Sequence, residues 1–132
     1  MFLERIPVGP LNVNCYIVGE CEGGEAVIID PGGNSEIILN TVSKYNLKIK
    51  YIINTHCHFD HVGAIMEVRD NTGASFLIHE DGNKMLSSAK HSAKMFMNID
   101  IEDPPPADSY LGDGDIINFG TLKFQIIHTP GH

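Results

Sequence analysis

The chain has 132 residues, 42% of them apolar and 20% charged, which is one domain's worth of an ordinary soluble globular protein and excludes a disordered segment. Nine Lys and Arg against 17 Asp and Glu leave a formal charge of -8, so the clustered cations that a nucleic-acid backbone demands are missing. No apolar run approaches the roughly 20 residues of a membrane span. The start, Met1 to Pro7, lacks the order of a signal peptide, and the odd set Cys15, Cys21 and Cys57 fits a reduced, cytoplasmic protein better than a disulfide scaffold.

Leu11, Val13, Cys15 and Ile17 alternate with Asn12, Asn14 and Tyr16, the period-two pattern of a half-buried strand. Ala26-Val27-Ile28-Ile29 is a continuous apolar run that Asp30-Pro31-Gly32-Gly33 stops. Pro31 has no N–H to give a ladder, and the two glycines open backbone angles that strands do not use. Asn34 or Ser35 can cap a helix with Ile38, Val42 and Tyr45 on one face. Ile49 to Asn54 reads as the next strand. Strand, helix and strand in succession make a βαβ unit, so part of the sheet is expected to be parallel.

After a histidine-rich stretch, Val62, Ile65, Met66 and Arg69 predict a second amphipathic helix, with Gly73 placed to end it. Ser75 to His79 predicts a short strand. Helical character returns around Met85 and Met95, where methionine serves as adaptable packing. Pro104-Pro105-Pro106 is a stiff extended connector. Ile116 to Phe119 and Leu122 to Ile127, on either side of Gly120, predict a β-hairpin.

The chemistry is concentrated in Thr55-His56-Cys57-His58-Phe59-Asp60-His61, directly after a strand. In extended backbone, residues two apart project to the same side, so His56 and His58 can hold one cation together while Cys57 is turned away. Asp60 and His61 fall where the chain enters a helix, and their side chains can point back to the same pocket and serve a second cation. Imidazole together with carboxylate suits Zn²⁺, Mn²⁺ or Fe²⁺ better than Ca²⁺ or Mg²⁺. Single histidines usually carry no such role. His79 and His91 are therefore assigned none, and His128 is read as structural.

His56-Cys57-His58-Phe59-Asp60-His61 resembles the H-x-H-x-D-H signature of the metallo-β-lactamase superfamily. Asp30-Pro31-Gly32-Gly33 resembles that family's turn after an early strand, and Thr129-Pro130-Gly131-His132 its next ligand motif. With the Asn14-Cys15-Tyr16 strand near the start, the order is most similar to short bacterial glyoxalase-II-like hydrolases. The resemblance implies an α/β (α+β) fold, the N-terminal part of an αββα sandwich. It implies that His56, His58 and His132 hold one metal, while Asp60 and His61 hold a second. The reaction implied is attack of a metal-bound hydroxide on the carbonyl of a small ester or thioester, with Asp60 as a proton acceptor or orienting group. Asp30 is implied as a residue that positions a ligand. Zn²⁺ is the expected metal, with Fe²⁺ or Mn²⁺ as alternatives.

Residues 1–132 are expected to be a single, C-terminally incomplete domain, because the family's bridging aspartate and last histidine ligand have no counterpart here. The expectation is therefore about one tightly held metal, an open sheet face, and self-association or a further C-terminal part. Within the same family resemblance, an iron-dependent sulfur dioxygenase and an inactive metal-binding fragment are the competing functions. The family's nucleases are disfavoured by the acidic balance.

Overall fold

In a computed structural model that describes residues 1–132, the first two strands pair as an antiparallel hairpin, β1 (Phe2–Val8) with β2 (Val13–Gly19). Strand β1 is absent from the sequence reading, because only Ile6 and Val8 of it are buried and Pro7 interrupts the signal. Leu11, expected in β2, lies in the turn instead, with Gly9 and Asn12 at φ of 71° and 51° reversing the chain. The remaining elements are β3 (Glu25–Ile29), α1 (Ser35–Lys44), β4 (Lys48–Ile53), α2 (Phe59–Val62) and α3 (Ile65–Thr72), then β5 (Ser75–Ile78), α4 (Asn83–Met97), β6 (Ser109–Tyr110), β7 (Ile116–Phe119) and β8 (Leu122–Gln125).

Strands β1 to β6 form one sheet in chain order. The β2–β3 pair is antiparallel, and β3–β4, β4–β5 and β5–β6 are parallel, the first of them joined by α1 as the βαβ pattern requires. Alternation sends Cys15, Ile17, Ala26, Ile28, Phe76 and Ile78 to a face covered by the helices. Val18, Val27, Ile53 and Leu77 go to the other face, where they meet Ile117 and Phe119 of the β7–β8 hairpin. Both faces of β3 are thus covered, which is why Ala26–Ile29 is apolar throughout. The layers are helix, sheet, sheet. The hairpin is the whole of the second sheet, and no helix covers its outer side, so three of the four αββα layers are present in this chain.

Three local expectations are corrected. The helix expected from Val62 to Gly73 is two helices. Ala64 N–H donates to the Pro31 carbonyl (3.0 Å) at the break, and a side chain on Gly63 would run into the Gly32 carbonyl. Gly73 does end the second, at φ 71°. Neither Asn34 nor Ser35 caps α1 through its side chain: Asn34 is left-handed and accepts the Gly9 N–H (2.8 Å), while Ser35 Oγ donates to Glu67 (2.6 Å). The second hairpin strand stops at Gln125 rather than Ile127.

Candidate metal centre

The parallel strands β3, β4 and β5 all end on the same edge of the sheet, and the site grows from those ends. Asp30 follows β3 in the left-handed region, at φ 53°, a conformation that Asp tolerates better than most residues. This turn aims the buried carboxylate across to the end of β4. There Oδ1 accepts the Thr55 N–H (2.7 Å) and Oδ2 accepts the Thr55 hydroxyl (2.6 Å). Because that hydroxyl proton is committed to Asp30, the Thr55 oxygen accepts from His56 Nδ1–H, 3.1 Å away. The tautomer so fixed leaves the lone pair of His56 on Nε2, free for a ligand.

His56, His58 and His132 each offer a donor atom within 4.8 Å of the others. Their ring centroids are 5.0 Å apart for His56 and His58, 4.8 Å for His56 and His132, and 4.9 Å for His58 and His132. His61 lies against this triad, 4.0 Å from the His56 ring, with Nε2 3.7 Å from Asp60 Oδ2. Asp60 and His61 occupy the single turn of α2, so they border the triad instead of joining it. His61 Nδ1 is buried and 3.1 Å from Asp30 Oδ2, but it is not directed well enough at that oxygen for a good hydrogen bond.

The electrostatics separate the histidines. Burial lowers the pKa of His56, and the neighbouring His61, His58 and His132 lower it further against the pull of Asp30, which favours the neutral ligand form. Burial also works against a charged His61, but its contact with Asp30 and the charges of Asp30 and Asp60 outweigh it, so its pKa stands above the ordinary value. Cys57, between two histidines, points into the helix-side core, where burial and then Asp30 push its thiol up to about 12. It is a packed thiol and not a ligand.

Two devices hold the loop in shape. Buried Asn54 donates to the carbonyls of His61 (2.8 Å) and His56 (3.3 Å), closing the loop on itself. Gly32 lets the turn after β3 lie backbone to backbone on α2, since a Cβ there would collide with the Asp60 carbonyl. Neither Thr55 nor Asn54 was singled out in the sequence, because a hydroxyl or amide gains its role only from what the fold sets beside it. The donor chemistry fits a transition-metal ion: three converging imidazoles, one with its tautomer fixed. A cleft of about 570 Å³ opens beside His56 and His132, walled by Ile29, Met85 and Leu111 among others.

Six strands in this order, with the helices on one face and a ligand cluster at the C-terminal strand ends, define a class. The sequence profile of the metallo-β-lactamase superfamily matches residues 8–132, and the chain belongs to that superfamily. It is 32% identical over 133 residues to the hydroxyacylglutathione hydrolase GloC of Haemophilus influenzae, covering 100% of this chain and 62% of that protein. Among solved structures, the BLEG-1 B3 metallo-β-lactamase superposes with a TM-score of 0.87 at 33% identity, over 98% of this chain and 62% of that one. The di-iron-bound form of TTHA1623 gives 0.84 at 32% identity, over 97% and 61%. The chain therefore spans 61–62% of the length of these three relatives.

Proposed function

We propose that this chain carries the metal-holding part of a glyoxalase-II-like hydrolase that cleaves an ester or thioester carbonyl. The observation that carries the reading is the convergence of His56, His58 and His132 beside an open cleft. These three side chains would hold one divalent ion, of which Zn²⁺ is the first choice, and Asp60 with His61 would hold a second. An ion so held supplies an activated water at neutral pH and polarises the carbonyl under attack. Thr55 and Asp30 fix the orientation and protonation of His56, and Asp60, beside His61, would accept a proton or orient the attacking water. The apolar cleft wall excludes water from the acyl part of a substrate. The name of the Haemophilus relative supports a hydroxyacyl-glutathione thioester as the substrate class.

For a second ion this chain would supply Asp60 and His61 alone, so it is expected to hold about one ion tightly and to turn over a glutathione thioester slowly. Elemental analysis of dialysed protein tests the assignment. His58→Ala should lose most of the bound Zn²⁺ while His91→Ala, exposed on α4, keeps it. Equal metal in the two variants would falsify the ligand set. The di-iron-bound form of one relative supports iron as the alternative metal, which a second reading, an iron-dependent sulfur dioxygenase, would need. Oxygen uptake by the Fe²⁺-loaded protein, with no thioester cleavage, would select it.

A further inference from the structure

Only two groups of three His, Cys, Asp or Glu side chains bring their donor atoms within 4.8 Å of one another. The first is His56, His58 and His132. The second is His79, Asp81 and His128, which lie outside the superfamily signature and take no part in the proposed reaction. His79 follows β5 and accepts the Asp81 N–H at Nδ1 (3.1 Å), capping the short turn Glu80–Gly82. His128 follows β8, its own N–H held by Asp113 Oδ1 (2.9 Å). The two rings lie face to face, centroids 3.8 Å apart and planes 11° from parallel.

Asp81 Oδ2 stands at the nitrogen edge of this stack, 3.6 Å from His79 Nδ1 and 3.8 Å from His128 Nε2. Two donors on one tetrahedral Zn²⁺, each about 2.1 Å from it, are about 3.4 Å apart. The carboxylate oxygen thus lies within a few tenths of an ångström of ligand spacing from each ring nitrogen, and the two rings, parallel in the stack, must turn for both nitrogens to face one ion. Ring stacking accounts for the two imidazoles but not for Asp81, which is 78% exposed and lines the same open cleft. Two imidazoles and a carboxylate are a borderline donor set that selects first-row transition metals over Ca²⁺ or Mg²⁺.

We propose that His79, Asp81 and His128 form an auxiliary site for a divalent transition-metal ion of the Zn²⁺ type, separate from the histidine triad. On binding, His79 Nδ1 exchanges the Asp81 amide for the ion, and that amide, in an exposed turn, passes to solvent. The site also anchors the tail. The backbone of Ile126 is bonded to Asp115 and Gly114, and His128 N–H to Asp113, but no hydrogen bond holds Thr129 to His132. An ion joining His128 to His79 clamps the last fixed point before His132. This positional effect rests on reading His132 as a ligand; the auxiliary site does not.

Zn²⁺ titration of the metal-free chain against a chromophoric chelator tests the proposal, using His58→Ala, His79→Ala, Asp81→Asn and His91→Ala. In the unaltered chain the triad is expected to be the tightest class, with weaker binding at the auxiliary site and at Asp60 with His61. His79→Ala should remove one weak site, and Asp81→Asn, which keeps the backbone and sits at the surface, should weaken that site about tenfold or more. His58→Ala should abolish the tighter class alone, and in that variant added Zn²⁺ should still shift the ring resonances of His79 and His128. No binding beyond the triad in the unaltered chain, or weaker binding untouched by both His79→Ala and Asp81→Asn, overturns the auxiliary site. Retention of the tighter class in His58→Ala overturns the triad assignment and leaves this one standing.

Discussion

Asp30 reaches two imidazoles by different routes, His56 through the Thr55 hydroxyl and His61 by direct approach. Polar groups that orient metal-facing histidines typically contribute about 10–100-fold to metal affinity. Thr55→Val removes one route while keeping the shape of the side chain, so its Zn²⁺ affinity should fall by about tenfold. Asp30→Asn disturbs both routes and should cost more. Competition with a chelator measures both, and equal affinities in Thr55→Val and the unaltered chain would show the relay to be ornamental. The spacing of His56, His58, Asp60 and His61 is legible because neighbours in sequence share one loop, while a positioning role for Asp30 comes from the family resemblance alone. Thr55 is not legible, and neither is the pairing of His79 with His128. Two residues so far apart in sequence declare nothing until β5 and β8 set them face to face.

At the scale of elements, the site depends on one crossing, where the turn after β3 lies on α2. The Asp-Pro-Gly-Gly turn reads from sequence as a strand stop, and the structure adds that Gly32 touches the Asp60 backbone while Gly63 touches Gly32. Gly32→Ala must push α2 away or bend the turn, an overpacking that costs about 1–3 kcal/mol. Its denaturation midpoint should drop at unchanged denaturant slope, and because α2 carries Asp60 and His61, metal affinity should drop with it. A variant with native midpoint and native metal affinity would show the crossing to be loose. The same crossing breaks the expected long helix at Gly63 and Ala64. Periodicity could not reveal this, because Val62, Ile65 and Val68 are all buried on either side of the break. Strand β1 escaped notice for the opposite reason, having too few buried positions to show a period.

For the whole molecule, two strands covering one face of a six-stranded sheet leave apolar surface in water. Tyr16, Ile29 and Tyr51 on that face are only partly buried, and Ile116 and Ile127 of the hairpin segment are 52% and 74% exposed. Burying roughly 400 Å² of such surface, at roughly 25 cal/mol per Å², contributes on the order of 10 kcal/mol. Ordering two copies into one complex costs about 4–15 kcal/mol, so the two terms nearly balance. The expected result is reversible self-association through the hairpin side, growing with concentration, and not a permanent dimer. The formal charge of -8 opposes the encounter of two copies, so added salt should strengthen the association by screening. Sedimentation velocity across a range of protein and salt concentrations reads both dependences. Ile116→Lys, on β7 of the hairpin and outside the cleft, should shift the equilibrium towards monomer without altering the tighter Zn²⁺ site. A chain that stays monomeric at every concentration and salt level would show that the hairpin covers the sheet well enough by itself.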